Sequence, residues 1–208
     1  MAGDTVLTLA NLKGLDLDCV RTSDIDLEVF AEHVAKEPRY NGATPRVWYS
    51  VAQHLCLGAD AMLSAGATET EAAYFLCHDI PEGIWKDDPT PKKVTIAKRI
   101  ERKCGVTSQA ILDVLKELDA EHEAAVHQAA GLPYPIPEEI HRLVKLYDVI
   151  MFVTEWRDLM RNAPHPNWLP YSKVQPLTIK IEPWDWQTAE RQLLFRMRKL
   201  LPNMQRRK

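Results

Sequence analysis

The sequence predicts an all-α protein with a small β-hairpin at its N-terminus, and three observations carry that prediction. Apolar residues recur at a helical period through most of the chain, clearest at Ile140, Leu143, Val144, Tyr147, Ile150 and Met151. Two-residue alternation is confined to the first twenty residues, where Leu15 and Leu17 sit between polar partners. Helix start and stop signals punctuate the remainder, with Thr68 and Thr90-Pro91 as openers and Gly66 and Gly105 as closers. At 208 residues the chain fits a single domain. It divides into a hairpin appendage over 1–22, a helical core over 23–162, and an irregular Pro/Trp segment with a C-terminal helix over 163–208.

Taken in order, Val6-Leu7-Thr8-Leu9 and Leu15-Asp16-Leu17-Asp18 flank a turn at Lys13-Gly14 and read as a hairpin too small to stand alone. Ser23 is the expected cap of a helix from Asp24 to Lys36. A loop over 38–45 carries Arg39-Tyr40-Asn41-Gly42, and a helix is expected from Arg46 to Ser64. Thr68 caps a helix arriving at His78-Asp79, where Pro81 interrupts the backbone ladder. Residues 80–91 read as loop, followed by helices over Pro91–Lys103, Ser108–Ala130, Pro137–Arg161 and Asp185–Leu200.

Composition excludes several classes. Hydrophobic residues make up 46% and charged residues 26%, which is ordinary for a globular chain. A formal charge of −3 removes the electrostatic case for stable nucleic-acid binding. No apolar run reaches the roughly 18 residues a membrane span needs, and the N-terminus lacks the cationic start of a signal peptide. Cys19, Cys56, Cys77 and Cys104 form no C-x-x-C pair, which argues against a zinc ribbon or a disulfide framework. A cytoplasmic location is the expectation.

The chemistry centres on His78-Asp79. Adjacent helical residues diverge by about 100°, so both can reach one ion only near a helix end, which is where Pro81 places them. Imidazole nitrogen and carboxylate oxygen suit Mn²⁺, Fe²⁺, Co²⁺ or Zn²⁺ better than a soft thiolate metal. His54, on an otherwise apolar helix face, is the natural third ligand, although a lone histidine there also reads as a hydrogen-bonded core residue. Asp148 is the fourth, a carboxylate inside Val144-Lys145-Leu146-Tyr147-Asp148-Val149-Ile150-Met151, costly unless paired or metal-bound.

This ordered pattern resembles the HD-domain metal-dependent phosphohydrolases. More narrowly, it is similar to their 5′-deoxynucleotidase branch and its phage relatives, including phage dATP triphosphohydrolases. The matching text is Arg39-Tyr40 fifteen residues before His54, Ser50-Val51-Ala52-Gln53-His54, His78-Asp79-x-x-Glu82, Asp87-x-Pro89-Thr90-Pro91-x-Lys93, Val144-Lys145-x-x-Asp148 and Thr154-Glu155-x-Arg157-Asp158-Leu159. The resemblance extends over nearly the whole chain. It implies an HD-domain helical bundle binding one divalent transition-metal ion through His54, His78, Asp79 and Asp148. It also implies Glu82 as general acid/base, Asp87 orienting the attacking water, Arg39 and Lys93 holding phosphate, and Tyr40 packing on the sugar.

The implied activity is hydrolysis at the α-phosphorus of a 2′-deoxynucleotide. Either a monophosphate yields nucleoside and phosphate, or a triphosphate such as dATP yields nucleoside and intact triphosphate. Self-association into a homo-oligomer is implied as well, and the compartment would be the host cytoplasm for a phage-encoded chain. Pro81, Asp88 and Tyr40 depart from the family pattern, but no ligand is lost. The alternative is a non-catalytic nucleotide-binding or interaction module on the same fold.

Overall fold

The computed structural model describes residues 4–86, 89–160 and 166–205. The chain is predominantly helical, with one antiparallel hairpin of β1 (Val6–Thr8) and β2 (Gly14–Asp16), in which Leu7 lies opposite Leu15. Leu15 is buried and Leu7 packs against the helical core, so the appendage gains from the body the cover it cannot supply itself. His33 ties it down: its Nε2 accepts from the backbone N–H of Ala10 at 3.1 Å.

Nine helices follow among the described residues: α1 (Leu27–Lys36), α2 (Val51–Ser64), α3 (Glu69–Cys77), α4 (Glu82–Trp85), α5 (Thr90–Cys104), α6 (Ser108–Ala130), α7 (Glu138–Leu159), α8 (Trp186–Leu200) and α9 (Pro202–Gln205). α2 is central, packing on α1, α3, α7 and α8. Its residues Val51, Ala52, Leu55, Cys56, Ala59 and Met62 are all fully buried, which is the behaviour of an almost wholly apolar core helix. α5 pairs with α6, and α6 in turn packs on α1, α3 and α9. No described helix is long and apolar enough to cross a membrane.

Three boundaries differ from expectation. Asp26, rather than Ser23, caps α1, its carboxylate accepting from the N–H groups of Glu28 and Val29. α2 begins at Val51 because the preceding residues run extended beside 37–39: Arg39 N–H donates to the Tyr49 carbonyl at 2.9 Å and Val51 N–H to the Glu37 carbonyl at 3.0 Å. Ser50 then caps α2 by accepting from Gln53 N–H. Pro89 is the N-cap of α5 with Thr90 and Pro91 inside its first turn, and the expected loop over 80–91 contains the one-turn α4.

Among the described residues, the stretch from 166 to α8 is irregular apart from a 3-10 turn at Pro166–Tyr171, and side chains of α2 and α7 pin it to the body. Gln53 donates to the Glu182 carbonyl and accepts from Trp184 N–H, both at 2.8 Å. From α7, Thr154 accepts from Leu177 N–H at 2.9 Å, Arg157 donates to the Leu177 carbonyl at 2.6 Å, and Asp158 accepts from Ile181 N–H at 2.8 Å.

Candidate metal centre

Three helices meet to form the centre. His54 lies one turn into α2, His78 and Asp79 follow the C-terminal end of α3, and Asp148 lies midway along α7. One ligand atom from each residue falls within 4.8 Å of the other three. His54 Nε2 is 3.5 Å from Asp148 Oδ1 and 3.7 Å from Asp79 Oδ2, while His78 Nε2 is 3.2 Å from Asp79 Oδ1 and 3.9 Å from Asp148 Oδ1.

The hydrogen bonds on the far side of each imidazole define its role. His54 Nδ1 donates to Glu155 Oε1 at 2.7 Å, and His78 Nδ1 donates to the Phe75 carbonyl at 2.7 Å. With the proton on Nδ1, each Nε2 carries a lone pair. Both Nε2 atoms are buried and make no hydrogen bond. Two enclosed lone pairs facing two carboxylates form a donor set that fits a divalent ion, and a buried polar group left without such a partner is costly. The four residues could therefore hold a metal ion.

Electrostatics follow from this crowding. Burial opposes a charged Asp79, yet His78, Arg39 and His54 outweigh it and hold the carboxyl well below the usual range. Burial likewise opposes a protonated His78, but Asp79 prevails and raises its pKa. Cys77, beside these ligands, is an enclosed thiol pushed up to about 12 by burial, and it is not one of the four clustered residues.

Arg39 borders the cluster, donating from Nη1 to Asp79 Oδ2 at 2.8 Å, with Nη2 3.7 Å from Asp148 Oδ1. Tyr40 follows it with φ 58°, in the left-handed region, and donates its hydroxyl to Glu155 Oε2. Its ring also lies 6.5 Å from that of Phe152. Buried Glu155 is the residue that sequence reasoning passed over, quoted in a motif but given no role. The argument that singled out Asp148, a carboxylate in an apolar run, applies equally to Met151-Phe152-Val153-Thr154-Glu155-Trp156 two turns later on the same helix. Burial opposes its ionisation, but Arg39, His54 and Tyr40 hold its pKa down at about 2.

On the His78–Asp79 side a cleft of about 250 Å³ opens, lined by Pro81, Glu82, Trp85, Lys86, Lys93, Leu115, Leu118, Asp119 and Glu123. Glu82 reaches it because the chain continues past α3 in tight turns, with Glu82 N–H donating to the Asp79 carbonyl at 3.1 Å. Lys93 is ion-paired with Asp119 at 2.9 Å and Lys86 with Glu37 at 2.8 Å. Asp87 lies outside the described residues. Trp85 meets His122 edge-on with ring centroids 4.9 Å apart, which anchors the end of α4 on α6.

No family model matches the chain. An uncharacterised protein of Rhodobacter capsulatus is 34% identical to it over 139 residues, 65% of this chain. The match covers 63% of that relative's own length.

Proposed function

We propose that this protein is a divalent-metal-dependent phosphohydrolase of the HD-domain type, acting at the α-phosphorus of 2′-deoxynucleotides. The observation that carries the reading is the pair of enclosed, unshared Nε2 atoms of His54 and His78 facing Asp79 and Asp148, next to a cleft that holds Glu82 and Lys93. A divalent ion held by those four residues would polarise a phosphoryl oxygen and lower the pKa of a water molecule.

The chain's own groups supply the rest. Glu82 borders the cleft beside His78 and is the group to pass a proton to the departing 5′-oxygen. Asp87 keeps, from the family resemblance, the role of orienting water. Arg39 presents a planar guanidinium at the edge of the cluster, suited to phosphate oxygens. Lys93 lies in the first turn of α5, where backbone N–H groups also attract anions. Tyr40, tethered through its hydroxyl, offers a fixed ring for the sugar.

The cleft lining favours the monophosphate reaction. Asp79, Glu82, Asp119 and Glu123 stand against Lys86 and Lys93, and both lysines are already paired. A triphosphate would bring about two more negative charges than a monophosphate to a lining that already has an acidic surplus.

The test uses metal-stripped protein reloaded with Mn²⁺ or Co²⁺ and incubated with each deoxynucleoside mono- and triphosphate, with ribonucleotide controls. Anion-exchange chromatography identifies the products. Free phosphate from monophosphates is the expected result, and intact triphosphate from dNTPs would move the reading to the triphosphohydrolase reaction. No product from any nucleotide, with metal bound and the protein folded, refutes the assignment in favour of a nucleotide-binding module.

A further inference from the structure

Glu155 is enclosed completely, and every contact of its carboxylate leads back to the candidate metal centre. Oε1 accepts from His54 Nδ1 at 2.7 Å and from the Tyr49 hydroxyl at 2.9 Å. Oε2 accepts from the Tyr40 hydroxyl and lies 3.5 Å from Arg39 Nε. A buried carboxylate is expensive unless donors surround it. Here the donors come from the 39–50 loop and from α2, brought to α7 by the extended pairing of residues 37–39 with 49–51. The left-handed conformation of Tyr40 and Asn41 turns the loop so that Arg39 and Tyr40 converge on this one group.

We infer that Glu155 is the positioning residue of the metal centre. It holds His54 in the Nδ1–H tautomer with Nε2 aimed at Asp79 and Asp148, and it fastens the Arg39–Tyr40 arm to the same carboxylate. The inference rests on the metal-dependent reading above and adds to it a single anchor shared by a metal ligand and the phosphate-facing arginine. Carboxylates behind a ligating histidine orient the ring and raise its basicity, and losing one typically weakens metal binding by about 10- to 100-fold. A carboxylate that served only to fill the core would leave metal affinity unchanged.

The experiment measures Co²⁺ affinity and the visible absorption of the Co²⁺ complex for the full chain, with thermal melting as the check on folding. Glu155→Gln is close in shape but loses the charge, and is expected to bind Co²⁺ about 10- to 100-fold more weakly, with an altered spectrum. Glu155→Asp keeps the charge but withdraws the oxygens, and is expected to fall between Gln and wild type. Asp158→Asn breaks a part-buried interaction with Arg157 and Ile181, none of them among the four clustered residues, and is expected to bind Co²⁺ as wild type does. Tyr40→Phe keeps the carboxylate and releases the arm, so it serves if Glu155→Gln does not fold, with weaker Co²⁺ binding expected. Affinity within about twofold of wild type and an unchanged spectrum in a folded Glu155→Gln, or in Tyr40→Phe should that variant alone fold, overturn the inference. Wild-type protein that binds no Co²⁺ overturns it together with the metal-dependent reading. Wild-type protein that binds Co²⁺ but hydrolyses no nucleotide overturns only the proposed reaction, and the affinity series still decides the role of Glu155.

Discussion

Replacing Gly58 with alanine sets two effects of opposite sign against each other. Gly58 is helical, one turn after His54 on α2, where that helix packs on α3. Helix propensity alone makes the substitution stabilising by about 1 kcal/mol. A Cβ at this position would, however, lie 2.1 Å from Phe75 Cε1 and 2.2 Å from Cζ. Carbon atoms prefer separations of about 3.5–4.0 Å, so the Phe75 ring must move. It is fully buried, and its centroid lies 4.6 Å from that of His78 and 5.5 Å from that of His54. Overpacking costs about 1–3 kcal/mol, and a contact this short in an enclosed site belongs at the upper end.

The net expectation for Gly58→Ala is a loss of about 2 kcal/mol, which lowers Tm by about 4–8 °C in a domain of this size. Metal affinity should fall as well, because displacing Phe75 disturbs the ring packed on both histidines and the carbonyl that orients His78. Calorimetric melting with and without Co²⁺ is the assay. A Tm equal to or above that of wild type, as propensity alone requires, would refute the packing argument.

Three further outcomes are expected. Saturating Mn²⁺ or Co²⁺ at about 100 times Kd should stabilise the fold by about 2.7 kcal/mol, raising Tm by about 5–11 °C. A chelator should reverse the shift and His54→Ala should abolish it, as read by thermal melting. Asp26→Ala removes the α1 cap and should cost about 1 kcal/mol, with Asp26→Asn close to wild type in denaturant titration. The Asp158 carboxyl is held below its ordinary value chiefly by the hydrogen bonds from Arg157. Its contribution is therefore present above the unfolded carboxylate range near pH 4 and is lost as pH falls through the lower folded value. Asp158→Asn should lower stability at pH 7 and flatten its decline below about pH 4, measured by urea unfolding across pH.

Elements whose signals are local were legible in the sequence. The long helices α6 and α7 carry their own periodicity and end signals, and Thr68 caps α3 with Glu71 in a reciprocal box as short-range rules require. His54 and Asp148 were legible because an imidazole or carboxylate in an apolar helix needs a partner, His78-Asp79 because an adjacent pair can share an ion only near a helix end, and the four do converge. Local signals misled where a long-range contact competed. Arg46–Tyr49 looks helical by composition, but residues 49–51 pair across the loop with residues 37–39 and delay the start of α2 to Val51. Ser23 is a plausible cap, but Asp26 is the residue whose carboxylate meets the first free N–H groups of α1.

The sequence by itself determined the all-α class, the hairpin and, through His54 and Asp148, some of the residues that demand a partner, because periodicity, caps and desolvation cost act within a few residues. Only the tertiary structure decided which partners those residues obtain. Glu155 becomes an anchor rather than a surface acid because α7, α2 and the 39–50 loop surround it with hydrogen-bond donors. Lys93 and Asp119 become a pair because α5 packs on α6, and Gln53 and Arg157 become clamps because the Pro/Trp segment runs back over α2 and α7. These pairings join residues far apart in the chain, and hydrogen bonds and ion pairs depend on distances that only the packed helices set.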